Sequence, residues 1–224
     1  MLSKGKDRPA FRRSAFVGGC AALIATLLGA APTQATDRVA VNQLATDQLA
    51  YVPVLNETRA PIGWIDFCTQ YPRDCAGGPS EPRDVLLSPR AWRDLTEVNA
   101  WVNTAVKPIT DLDHWGVVEK WSYPDDGYGD CEDYVLLKRR MLIEAGWPRE
   151  ALLITVVRDR KDEGHAVLTV KTDKGDFILD NQAETIVLWS DTGYRFVKRQ
   201  SQSDPNVWVS LGDPRPAAAT AAMH

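Results

Sequence analysis

Gly129-Asp130-Cys131-Glu132-Asp133-Tyr134-Val135-Leu136-Leu137-Lys138-Arg139-Arg140-Met141-Leu142 reads as a helix that starts at a cysteine. Asp130 is a favoured N-cap residue, and Asp133 three places on makes a loose capping box. Tyr134, Leu137, Met141 and Leu142 then recur at helical spacing, and Lys138, Arg139 and Arg140 suit the later turns. Gly146 followed by Pro148 stops the helix. Upstream, Ser88-Pro89 reads as an N-cap and first helical residue. Trp92, Leu95, Val98, Val102 and Val106 keep three-to-four spacing, which predicts an amphipathic helix ending before Pro108. The loop from Thr110 to Gly129 carries Trp115, Trp121, Tyr123 and Tyr128 among several acids. Downstream the pattern changes to strands: Leu152–Val157, then Ala166–Val170 and Phe177–Asp180 about a turn at Asp173-Lys174-Gly175, then 186–188 and 194–197. Helices first and an antiparallel sheet after predict an α+β fold.

The 224 residues suffice for one well-cored domain. Residues 1–35 read as an export signal, with a basic start (Lys4, Lys6, Arg8, Arg12, Arg13) and an apolar run from Ala15 to about Ala31. Thr33-Gln34-Ala35 supplies small residues for cleavage. The run is short for a bilayer span and broken by Gly18, Gly19 and Gly29, so no stable membrane insertion is expected once it is removed. Arg12-Arg13 leaves the twin-arginine and general secretory routes both open. Residues 36–60 read as a loose lead-in, 61–212 as the folded domain and 213–224 as a disordered tail. Removing the signal takes the net charge from −4 to −8. An acidic surface without basic clusters argues against nucleic acid or anionic membrane as a partner.

Export places the chain in an oxidising compartment, periplasmic or secreted, where closely spaced cysteines pair. Cys68 and Cys75 frame a short loop containing Pro72 and are expected to form a disulfide. Cys131 is then the odd thiol, and an odd thiol in an exported chain is either an intermolecular link or a reactive group. A thiol acts as a nucleophile only as thiolate. The predicted helix starts at Cys131, so unpaired N–H groups lie beside the sulfur. Asp130 and Glu132 oppose ionisation, which calls for a nearby imidazolium, a bound cation, or both. His165 begins a strand with Val167 and Thr169 on its face. If Leu168 and Val170 pair with Leu179 and Phe177, the hairpin loop has two residues and Asp180 comes within reach of His165. That register yields a Cys131–His165–Asp180 triad in which the acid orients the ring.

Gly129-Asp130-Cys131-Glu132-Asp133-Tyr134, Gly164-His165-Ala166-Val167-Leu168 and Leu179-Asp180-Asn181 together resemble the bacterial transglutaminase-like cysteine peptidases. That group includes the LapG-type periplasmic proteases that release adhesins from the cell surface. The resemblance extends from about Pro61 to Leu211. It implies a papain-like, transglutaminase-like arrangement, with the nucleophile at the start of a helix packed on an antiparallel sheet. It also implies Cys131 as nucleophile, His165 as general base and acid, and Asp180 as the orienting acid. Further implications are calcium held by Asp130 and Glu132, a protein substrate such as a surface adhesin, and an inner-membrane regulatory protein. Asp111, Asp113, Asp125 and Asp126 add negative charge from the preceding loop. The stretch Tyr123-Pro124-Asp125-Asp126-Gly127 departs from the family's pattern there. Two rival functions stay open: transglutaminase-type acyl transfer by the same triad, and a non-catalytic exported binding module with Trp115 and Trp121 as contact residues.

Overall fold

The computed structural model describes residues 50–212, so the expected signal segment, most of the lead-in and the expected tail lie outside the described residues. Strand β1 (Val54–Thr58) is followed by helices α1 (Ile62–Gln70) and α2 (Pro89–Ala105). The short β2 (Lys107–Pro108), α3 (Asp111–Trp115) and β3 (Tyr128–Gly129) lead into α4 (Cys131–Glu144). A 3₁₀ turn, Arg149–Ala151, opens β4 (Leu152–Arg158), β5 (Gly164–Thr172), β6 (Gly175–Leu179) and β7 (Val187–Leu188). After a second 3₁₀ turn come β8 (Arg195–Gln200) and β9 (Trp208–Leu211). Seven strands form one sheet in the order β1-β9-β8-β4-β5-β6-β7, and every paired neighbour is antiparallel. The α+β reading holds.

The sheet is covered on both faces by apolar side chains. On one face Val135, Leu136 and Leu142 of α4 pack with Ile154, Ala166, Leu168, Val170 and Leu179. On the other, Val157, Val167, Ile178, Trp189, Phe196 and Val209 form a second cluster. This is strand alternation at work: successive residues of β5 feed opposite cores. Helix α2 starts as expected, since the Ser88 hydroxyl accepts from Ala91 N and Pro89 occupies the first turn. Tyr134 seals it to α4 with Val102 and Val106, and its hydroxyl donates to the Val106 carbonyl at 2.7 Å. The Cys68–Cys75 disulfide is present, with the Cα atoms 5.5 Å apart.

Two readings change, and the stretch after Pro61 gains an assignment. Part of the expected lead-in, Val54–Thr58, is an edge strand paired with β9. The apolar stretch after Pro61 is a helix, in which Trp64 and Phe67 face the core while Ile62 and Ile65 stay exposed. Lys138 and Arg139 do not complement the end of α4; they point inward and are 0% and 4% exposed. Only Arg140 reaches out, lying 3.9 Å from the Tyr123 ring centre.

Candidate active site

Cys131 is the first residue of α4 and the free cysteine among the described residues. Its approach is fixed by β2 and β3, a parallel pair with Pro108 opposite Gly129. Gly129 must be glycine here, because a Cβ would lie 2.7 Å from the Asp133 side chain. Cys131 lines a cleft of about 220 Å³ together with Trp121, Glu132, His165, Ala166 and Lys198. Trp121 packs over α1 so closely that a Cβ at Gly63 would meet its indole at 2.2 Å. It is 3% exposed and packs mainly into the core, offering a partner only its edge in the cleft wall, whereas Trp115 is 43% exposed. A β-bulge in the pairing of β4 with β8 falls between Val156 and Val157, beside the cleft-lining Val156 and Lys198. Bulges of this kind re-aim side chains next to a site.

The hairpin of β5 and β6 has the two-residue loop, with Leu168 opposite Leu179 and Val170 opposite Phe177. Asp180 follows directly, and its Oδ1 lies 2.8 Å from His165 Nε2. Both side chains are buried. Oδ1 also accepts from Gln182 N at 2.9 Å, and Oδ2 accepts from the Tyr194 hydroxyl at 2.7 Å. The Tyr194 ring meets the imidazole edge-on at 5.8 Å. Asn103 of α2 donates to the Asp180 carbonyl at 2.8 Å, tying this corner to the helical layer. Burial raises the Asp180 pKa, but the bond and charge from His165, with the Tyr194 and Gln182 donors, outweigh it and hold the carboxyl below its ordinary range. An ionised carboxylate only accepts, so Nε2 carries the proton and Nδ1 is left as the acceptor. The Gln182 amide lies 3.4 Å from Nδ1. Neither Tyr194 nor Gln182 is marked by local pattern; the chain supplies them from beyond the hairpin.

The thiol is not hydrogen-bonded to the ring. Its Sγ–H donates to Glu132 Oε2 at 3.0 Å. Burial pushes the thiol pKa well up, and the adjacent Glu132 adds to this, against a smaller opposing effect from the Ala166 N–H. The expected cap at the start of α4 is absent in chemistry though present in position: Asp130 makes no side-chain cap hydrogen bond. Asp133 serves chiefly the loop before it: its Oδ1 accepts from Ser122 N at 2.8 Å, and the Asp130 N–H acts on its carboxyl only weakly. Asp130 Oδ1 and Asp133 Oδ2 are buried without hydrogen-bond partners.

What gathers instead is a carboxylate cluster. One oxygen from each of Asp111, Asp130 and Glu132 lies within 4.8 Å of the others. Burial, then the Asp111 charge, pushes Asp130 up to about 6. Burial and the Asp130 charge push Glu132 up to about 9. Asp133 rises to about 8, mainly through burial. Of the loop acids expected near the cysteine, only Asp111 joins this cluster. Asp126 bonds His114 at 2.8 Å, Asp125 sits 3.8 Å from Arg140, and Asp113 takes the Thr110 hydroxyl. The sequence signal for Asp111 was its place three residues after the β2 anchor, legible only once β2 is known to pair with β3.

A helix-start cysteine sharing a cleft with a buried imidazole–carboxylate pair is the layout of thiol-dependent acyl-transfer enzymes. The chain belongs to the bacterial transglutaminase-like cysteine proteinase family, whose profile matches residues 54–216. It is a transglutaminase-like cysteine peptidase. Among solved structures the chain is similar to calcium-bound Legionella pneumophila LapG, with 25% identity over 55% of this chain and 71% of that one and a TM-score of 0.47. An EGTA-treated form of the same protein matches with 26% identity over 55% and 72%, at a TM-score of 0.45. No curated protein sequence matches.

Proposed function

We propose that Cys131, His165 and Asp180 are the catalytic triad of an exported cysteine protease that cleaves peptide bonds of surface or periplasmic proteins. The observation that carries this reading is the His165–Asp180 pair, bonded at 2.8 Å and opening onto the cleft that also holds Cys131. Asp180 holds the ring so that Nδ1 is the base. Nδ1 takes the thiol proton and the sulfur attacks the substrate carbonyl carbon, giving a tetrahedral oxyanion. The Cys131 N–H at the start of α4 is placed to donate to that oxygen. Collapse breaks the C–N bond as Nδ1–H protonates the departing amine, leaving a thioester. Water then attacks the thioester with Nδ1 again as base, releasing the acid and the free thiol. Two contacts must give way first: the thiol must turn from Glu132, and Gln182 must leave Nδ1.

Asp111, Asp130 and Glu132 make the cation site, a set of hard oxygen ligands that suits calcium. The support is the orphaned Asp130 oxygen and the mutual repulsion that raises these acids. A divalent cation bound there supplies the positive charge that offsets the acids around the thiol. The export signal reading and the disulfide support a periplasmic or secreted location. Among the described residues no helix is long and apolar enough to cross a membrane. The family resemblance extends the proposal to a surface adhesin as substrate and an inner-membrane protein as regulator.

The test is to incubate the protein, with calcium, with the secreted and surface proteins of its source and to sequence new termini. Wild type should produce them, Cys131→Ala and His165→Ala should not, and Asp180→Asn should be intermediate. A product joined to an amine instead of bearing a free carboxyl indicates acyl transfer. New termini at the wild-type rate from Cys131→Ala would end the proposal.

A further inference from the structure

A second cavity, of about 290 Å³, shares no lining residue with the Cys131 cleft. It lies between the inward side of α4, the 3₁₀ turn before β4, the end of β8 and the chain just after Cys75. Two guanidinium groups line it, Arg139 and Arg149. Arg139 is 4% exposed, its Nε donates to the Leu152 carbonyl at 2.9 Å, and its Nη2 is buried with no hydrogen-bond partner. Arg149 donates to the Asp74 carbonyl. Neither arginine forms an ion pair among the described residues. Burial, and then the charge of Arg149, push the Arg139 guanidinium down to about 10, with only partial relief from Tyr123, Asp74 and Glu150. A cation is normally kept from full burial unless it is paired.

We infer that this cavity is a binding site for a carboxylate, held by the guanidinium groups of Arg139 and Arg149. The planar fork of a guanidinium matches a carboxylate with two parallel N–H···O bonds. Glu150 also lines the cavity, so its charged side chains sum to one positive charge. That balance favours a monoanion over a phosphate dianion. The volume corresponds to about ten waters, which suits a group the size of a dipeptide. Gly77, Ser80, Ser201 and Gln202 add polar lining beyond the arginines. The carboxylate comes either from a small free acid or from the C-terminus of a peptide.

The experiment is calorimetry on the full chain with three probes: acetate, N-acetyl-dialanine with a free carboxyl, and the same dipeptide amidated. The free-carboxyl dipeptide should bind saturably and the amide should not. Acetate binding as tightly as the dipeptide would identify a small acid, and much weaker acetate binding a peptide terminus. Arg149→Gln, at a half-buried position, should weaken binding roughly tenfold or more while the fold and peptidase activity persist. Arg139→Lys, which keeps the charge but loses the fork, should weaken it as well. The inference is overturned if no carboxylate probe binds, if the amide binds equally, or if folded Arg149→Gln binds like wild type.

Discussion

Adding calcium at neutral pH should expel protons from the protein. Glu132 is pushed up to about 9, so at pH 7 it is mostly protonated. Asp130, at about 6, is then mostly ionised, and Asp133, at about 8, is mostly protonated. A cation held by Asp111, Asp130 and Glu132 must displace the Glu132 proton, so about one proton leaves per ion at pH 7. Up to about one more leaves if the ion's field also ionises Asp133. Proton and cation compete, so affinity tightens as pH rises, by about tenfold per pH unit between roughly 6 and 9. The assay is calorimetric titration of EGTA-stripped protein in two buffers of different ionisation heat, repeated across that range. The stripped protein should also lose stability progressively as pH rises from about 4.5 to about 9. Over that window the raised acids keep protons that the unfolded chain has shed, so their contribution is fully present below about pH 4.5 and gone by about 9. Binding with no proton release and no pH dependence would refute the carboxylate-cluster argument, and so would the absence of binding.

Other outcomes follow from single contacts. Non-reducing peptide mapping should find Cys68 joined to Cys75 and Cys131 free, and reduction should lower urea stability by about 2–3 kcal/mol for so short a loop. Lys138 Nζ is buried without a hydrogen-bond partner, and burial lowers its pKa to about 7 despite the attraction of Asp180. The unfolded chain holds that proton to about 10.5, so wild type should gain stability relative to Lys138→Met as pH rises from about 7, by up to about 1.4 kcal/mol per unit. Urea midpoints of the two proteins from pH 6 to 10 measure this, and a difference that does not change with pH would contradict it. Tyr194→Phe leaves Asp180 with one fewer donor. Turnover should fall while substrate KM holds, and an unchanged kcat would show that the hydroxyl does not help position the acid.

How far the sequence reached is clear from which contacts are local. The His165–Asp180 pair was legible because strand alternation and a two-residue turn fix a register within fifteen residues. Helix α2 was legible because Ser88-Pro89 and the apolar spacing agree. Strand β1 was not, since all five of its residues are exposed and its order comes from backbone pairing with β9, far along the chain. Helix α1 carries apolar residues on its outer side too, which blurs its period. Asp130 and Asp133 looked like caps because cap chemistry is local. Their actual neighbours, Asp111 and Ser122, arrive through the pairing of β2 with β3 and the loop between them. Lys138 and Arg139 looked like end-of-helix charges, but tertiary packing turned both inward.

On the proposed mechanism Cys131 becomes a nucleophile, activated by His165, once the acids beside it are neutralised. The most direct test is the rate of iodoacetamide alkylation of Cys131 at mildly acidic pH, read by intact mass, with calcium and with EGTA, in wild type and His165→Ala. Rapid single alkylation only of calcium-loaded wild type is the expected result. Equal rates in wild type and His165→Ala, or an inert Cys131 in the calcium-loaded protein, would contradict it.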